Sequence, residues 1–412
     1  MKGRKGQRGN RYKSRHKGQM VRIGWAVLLC LVAVLFWSGK TQKVWGAQHS
    51  GTESEESSGP DIPGESGEYD QIQSVIDSMS PKSEISFGDI VGQLFSGNIT
   101  MSFESMGQYI YEHIFMEIHL NQKALSQIMG IAIIGALFTN FSVAFAKNHV
   151  ARTGFYMTYI LLFSLLLASF GAAFSVTQSV LDFLVDFMTA LLPAFCTAIA
   201  FASGTSSAAG FYGVTALAIT AVDWLICHIL LAMIQVYMIL SLANDLSVQD
   251  YLSRLCQLIR TIISWSLKTI LGLTLGLNII QSMVLPAFDS FKSSAFIKLS
   301  SVIPGIGNAL NAAAKTAIGS GVLIKNAIGV GGLIVILIVC AIPLIKLLVI
   351  TLMYKVTEAV VQPVSDPRIV SCIQKTGDSV LLLLMAAGTA ILLFILSLAV
   401  IASSSNLAIG GG

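Results

Sequence analysis

The chain has 412 residues, of which 54% are hydrophobic and only 12% are Asp, Glu, Lys or Arg, at a mean hydropathy of +0.73. A soluble protein carries about a quarter charged residues, so this composition excludes a string of water-soluble domains and leaves apolar surface that only lipid accommodates. The net charge of +4 is misleading, because residues 1–46 hold eleven bases and no acid, leaving fifteen bases against twenty-two acids in the rest.

The first element is a leader over 1–47. Lys2, Arg4, Lys5, Arg8, Arg11, Lys13, Arg15, Lys17 and Arg22 have the single aromatic Tyr12 among them and run straight into the apolar stretch Ile23–Trp37, followed by the small residues Gly46 and Ala47. That is the three-part layout of an export signal, not a nucleic-acid surface. Trp45 spoils the small-x-small cleavage pattern, so a cleaved signal and an uncleaved anchor both remain open. Either way, residue 48 onward begins outside the cytoplasm.

Residues 48–120 form an acidic extracytoplasmic segment, with thirteen acids and a single Lys82 between Gln48 and Glu117. Its Ser, Glu and Gly-rich start cannot bury enough apolar surface to fold. Farther on, Ile72, Val75, Ile76 and Met79, then Ile90, Val91, Leu94 and Phe95, recur at helical spacing and predict two short amphipathic helices at the membrane surface.

Residues 121–412 read as an all-α, polytopic membrane domain. Seven apolar segments approximate the roughly twenty residues that cross about 30 Å of hydrocarbon: 125–146, 155–177, 181–201, 210–242, 255–285, 328–353 and 380–402. The fourth and fifth are longer than one span requires. The positive-inside rule puts the connection bearing Lys147 and Arg152, and the one bearing Lys292, Lys298, Lys315 and Lys325, in the cytoplasm. The stretches around Asp245 and Asp250 and around Asp366 then fall outside, and the C-terminus inside.

Several residues stand out against this apolar background. Asp182 and Asp186 share one helix face and suit cation binding or proton relay, unless they sit in the solvated interface. Asp223 lies within the fourth segment, and Arg260 and Lys268 within the fifth. An acid paired with a base costs less in a membrane than two isolated charges, while snorkelling to the headgroups is the alternative. His113, Glu117 and His119 have metal-ligating chemistry, but His113 and His119 point to different helix faces. Cys30, Cys196, Cys227, Cys256, Cys340 and Cys372 are scattered without ligand or disulfide spacing and read as small buried hydrophobes. Pro193 and Pro343 fall within spans, where kinks are expected. The small-residue run from Ser203 to Gly210, and Gly329, Gly331 and Gly332, allow close helix packing.

Between 287 and 327, Phe288, Phe291, Phe296, Leu299, Val302 and Ile303 form one apolar face. Pro304, Gly305 and Gly307 then break the helix, and a second face follows through Leu310, Ala314, Ala317 and Ile318. This is an amphipathic cytoplasmic hairpin, either lying in the interface or re-entering to line a path. The chain contains no serine elbow, His-Glu zinc helix or Walker lysine, so no catalytic, cofactor-binding or metal-binding residues are expected and an enzyme is not the reading.

One set of stretches carries a specific likeness: Phe296-Ile-Lys-Leu-Ser-Ser-Val-Ile-Pro-Gly-Ile-Gly, Leu323-Ile-Lys-Asn-Ala-Ile-Gly-Val-Gly-Gly, Ala341-Ile-Pro-Leu-Ile-Lys, Val361-Gln-Pro, and Leu192-Pro-Ala-Phe with the small run to Gly210. With these, most of the chain after about Leu125 resembles the stage III sporulation protein AE family of endospore-forming Firmicutes. The resemblance implies a multi-pass protein of the mother-cell membrane surrounding the forespore. It further implies a channel or secretion-like complex built with the other stage III A sporulation proteins, and with the forespore's stage II protein Q as a partner through that complex. Membrane lipid is an expected partner and nucleic acid is not. A stand-alone secondary transporter using the intramembrane charges is the alternative, although the chain lacks the related halves usual in that class.

Overall fold

The computed structural model describes residues 66–79, 86–96, parts of 116–137, 149–203, 205–246, 252–300 and 307–403, all within one compact unit running from Pro63 to Gly412. Every regular element among them is helical. Hydrocarbon offers backbone N–H and C=O groups no partner, and a helix satisfies them internally. The leader over 1–47, His113, Glu117 and Lys147 lie outside the described residues.

Helices α1 (Ser66–Met79) and α2 (Phe87–Ser96) come first. Ser86 caps α2 by accepting from the Asp89 N–H at 3.3 Å, and Asp89 places a negative charge at the helix's positive end. The Phe87 N–H donates to Gln73 Oε1 at 2.9 Å, tying the pair together. Ile72, Ile76, Phe87, Ile90 and Val91 are buried, which makes the predicted apolar faces real. These faces cover the long helices: Phe87 meets Phe187 edge-on at 6.4 Å, and a methyl added at Gly331 would lie 3.1 Å from Val91 Cγ2. Each such buried side chain contributes about 1.5–3 kcal/mol.

The long elements are α3 (His149–Ser203), α4 (Thr205–Trp224), a π-helical turn (Leu225–Leu230), α5 (Leu231–Leu246), α6 (Ser253–Ser300), α7 (Gly307–Val361) and α8 (Pro367–Ser403). Among the described residues, five stretches are long and apolar enough to cross a membrane: Tyr156–Ala200, Tyr212–Asp245, Ser253–Ile280, Gly319–Val361 and Pro367–Val400. The expected segments 155–177 and 181–201 are one continuous helix. The polar residues between them do not break it, because Thr177 Oγ1 donates to Ala173 O and Ser179 Oγ to Ser175 O, satisfying both hydroxyls within the helix. The segment 125–146 is described only in part. Pro193 and Pro343 sit inside helices that continue past them. The long fourth segment takes up a π-turn, in which the Leu231 N–H reaches back to Ile226 O.

The hairpin expected over 287–327 is built from the ends of two long helices, α6 up to Ser300 and α7 from Gly307, and not from two separate short ones. Gly307 is the first residue of α7, and Pro304 and Gly305 lie outside the described residues.

Side-chain contacts fix the direction of each long helix. At one end of the bundle, Tyr159 near the start of α3 meets Leu242 near the end of α5 and Cys372 near the start of α8, while Arg260 of α6 and Lys355 of α7 meet Asp378 of α8. At the other end, a methyl on Gly332 of α7 would touch Leu191 of α3 and Leu398 of α8, and Asn278 of α6 bonds Ser397 of α8. Helices α3, α6 and α8 therefore run one way, and α4–α5 and α7 the other. From Gly332 to Tyr354 is 22 residues, about 33 Å of helix, close to the hydrocarbon thickness. The start of α3 thus shares an end with the Asp245 and Asp366 connections, opposite the α6–α7 connection. The sequence expectation puts the Arg152 and 287–327 connections on the same side, and the unbroken α3 separates them.

Candidate functional site

Six ionisable residues of the bundle gather at the Tyr159 end. Asp378 on α8 accepts from Arg260 Nη1 at 3.0 Å and from Lys355 Nζ at 2.9 Å, and Lys355 also donates to Glu358 at 3.2 Å. Three residues earlier on α8, on nearly the same face, Lys375 pairs with Asp245 of α5. Three cations and three anions cancel, and they join α5, α6, α7 and α8. The carboxylates are the better enclosed members, with Asp245 8% and Asp378 17% exposed. Leaving either without its cation would cost far more than a surface charge.

Helix α3 joins the same end through Tyr159, which is 1% exposed. Its hydroxyl donates to Leu242 O at 2.9 Å and lies 2.8 Å from Cys372 Sγ, whose other neighbour is Asp245. Asn244, also buried, accepts from the Leu252 N–H at 2.9 Å and holds the turn between α5 and α6. Gly377 brings α7 close: a methyl there would lie 2.9 Å from Tyr354 Cβ. Chemically this is a closed, neutral fastening of α3, α5, α6, α7 and α8 at one end.

The residues singled out in the sequence are distributed differently. Arg260 belongs to the network, and its partner is Asp378, not Asp223. Asp223 is half-buried and accepts from the Cys227 thiol one turn on at 3.1 Å. Asp182 and Asp186 are exposed on one face of α3, with Asp223 within electrostatic reach of Asp182. Lys268 is exposed on α6, two turns from Arg260. Of the cysteines, Cys256, Cys340 and Cys372 are buried, and Cys196 and Cys227 half-buried, all as free thiols. Among the described residues, no three His, Cys, Asp or Glu side chains converge on a metal position.

Sequence reasoning misses Asp378, Lys375, Lys355 and Glu358 and treats Asp245 as a loop residue. One signal is available: Lys375 and Asp378 are opposite charges three residues apart on the helix that precedes an uncharged run of more than twenty residues.

The fold and the network define an all-helical, polytopic membrane protein fastened by charges at one end. A family model described as stage III sporulation protein AE matches residues 85–405, which is most of the chain, and the chain belongs to that family, a family of sporulation membrane proteins. It is 26% identical over 317 residues to the stage III sporulation protein AE of Bacillus subtilis (strain 168), covering 76% of this chain and 79% of that protein. No solved structure matches it.

Proposed function

We propose that this chain is a membrane-embedded subunit of a channel or secretion-like complex between mother cell and forespore, seated in the mother-cell membrane and required for endospore development. The observation that carries this reading is the outward face of α3. Asp182 and Asp186 are exposed there within Tyr156–Ala200, a stretch otherwise apolar enough to span a membrane. Against lipid at the bilayer centre each carboxylate costs about 2.5–3.5 kcal/mol, falling towards the interface, whereas against a partner subunit or a water-filled passage the cost largely disappears.

Family membership supports assembly with the other stage III A proteins, and through them with the forespore's stage II protein Q. The neutral network supports a fixed subunit over a stand-alone transporter, because its charges are already matched to one another and fasten the helices together. Purification of the full chain from sporulating cells in mild detergent tests the reading. Co-purification of other stage III A proteins is the expected result, and a chain that comes out alone under conditions preserving its fold would favour the transporter.

A further inference from the structure

We infer that the bundle stands in the membrane with its charge-network end towards the cytoplasm and its α6–α7 connection on the exported side, together with α1 and α2. This reverses the sidedness that lysine placement assigns to the 287–327 segment. Three observations lead to it.

The first is where the N-terminal helices dock. Phe87 of α2 packs on Phe187 of α3, and α2 covers Gly331 of α7, next to the Gly332 that meets Leu191 and Leu398. The exported segment is therefore attached about 33 Å of helix away from Lys355 and Asp378, one hydrocarbon thickness from the network. A segment carried across by a leader packs on the end that faces the side it was delivered to.

The second is parity. Between the start of α3 and the α6–α7 connection the chain makes three crossings, by α3, by α4–α5 and by α6, because α3 is unbroken. An odd number places those two points on opposite sides. Ser365 Oγ donates to Ala132 O, so the chain just ahead of α3 is also at the network end. With α2 docked at one end and Ala132 at the other, the chain passes from the exported side to the cytoplasm before α3 begins.

The third is charge. Arg152, Arg254, Arg260, Lys355, Arg368 and Lys375 lie at the network end of the membrane helices, against Lys292, Lys298, Lys315 and Lys325 at the other. With α3 continuous the positive-inside rule can satisfy only one of these groups, and the larger is at the network end. The exported face then consists of α1, α2, the α3–α4 turn and the α6–α7 connection, and a partner reaching these elements is extracytoplasmic. The cytoplasmic face consists of the Asn244–Leu252 and Gln362–Asp366 turns.

Single-cysteine labelling of the full chain, produced in vegetative cells so that the exported face meets the medium, tests this, with a membrane-impermeant maleimide on intact protoplasts and on permeabilised ones, scored above the wild-type background. The probes are Ser78→Cys on α1, Ser301→Cys in the α6–α7 connection and Val364→Cys in the α7–α8 turn, where Val364 is 56% exposed. Ser78→Cys and Ser301→Cys should label in intact protoplasts, and Val364→Cys only after permeabilisation. Labelling of Ser78→Cys and Val364→Cys together in intact protoplasts, with Ser301→Cys protected, would overturn the inference. So would any pattern in which Ser301→Cys and Val364→Cys share a side. Reporter fusions after Ala313 and Asp250 give an independent reading, with Ala313 expected outside and Asp250 inside, and the reverse pair contradicts the inference.

Discussion

Asp378 accepts from Arg260 at 3.0 Å although the two residues are 118 positions apart and on different membrane helices. The same carboxylate takes Lys355 from the opposite side, so one acid on α8 holds both α6 and α7. Replacing it by Asn leaves partly enclosed Arg260 without this counter-charge and Lys355 with Glu358 in place of two acids. Breaking a fully buried pair costs about 3–5 kcal/mol, and the partial exposure of these side chains brings the expectation for Asp378→Asn down to about 1–3 kcal/mol. The measurement is the melting temperature of the detergent-purified chain. Adding Arg260→Met and Lys355→Met should restore much of the loss, and a triple variant no better than the single one would argue against charge matching.

Gly377 and Gly388 lie on the same helix and should respond oppositely to alanine. A methyl at 377 comes within 2.9 Å of Tyr354 Cβ, an atom that trimming the tyrosine ring does not remove, whereas a methyl at 388 meets nothing within 4 Å. Gly377→Ala must push α7 and α8 apart, at about 1–3 kcal/mol, which outweighs the roughly 1 kcal/mol gained in helix propensity. Gly388→Ala should be neutral or slightly stabilising. Thermal melts of the two variants side by side check the contrast, and equal melting temperatures would contradict it.

Tyr159→Phe keeps the ring and removes only the hydroxyl that reaches Leu242 O and Cys372 Sγ. The expected loss is about 0.5–1.5 kcal/mol, with faster protease cleavage at the α5–α6 turn as the fastening loosens. Unchanged stability and cleavage would show that the hydroxyl does not help hold α3 to α5 and α8.

Helices α6 and α7 run antiparallel, so the chain must reverse between Ser300 and Gly307. Changing Pro304, Gly305 and Gly307 together to alanine adds about 1 kcal/mol of helix propensity per glycine and lifts a proline penalty of about 3 kcal/mol, favouring a straight helix where the reversal is needed. The variant should accumulate in the membrane yet fail to support spore formation, measured as heat-resistant colonies alongside a membrane blot. Near-normal sporulation at wild-type membrane levels would remove the case for a functional reversal.

The apolar runs are readable from the sequence because a membrane span needs about twenty uncharged residues whatever packs against them. The fusion of two expected spans is not, since Thr177, Gln178 and Ser179 look like a polar turn until Thr177 and Ser179 are seen returning their hydroxyls to their own helix. Arg260 reads as a membrane charge in need of a partner, and Asp223 is the nearest acid that lies inside an apolar segment. Its actual partner depends on how α6 meets α8, a long-range pairing that residue spacing does not encode. The exposure of Asp182 and Asp186 likewise depends on which face of α3 the other helices cover.

The most direct test of the assembly reading is site-specific photocrosslinking from that face of α3. A photoreactive residue in place of Asp182 or Asp186, in a full-length chain that still supports sporulation, should give adducts with other stage III A proteins, or with a second copy of the chain, in sporulating cells. The same photoreactive residue in place of Leu191, which is buried on the opposite side of the helix, should crosslink only within the chain. Adducts to lipid alone from both acidic positions, with the protein at normal level, would contradict the account.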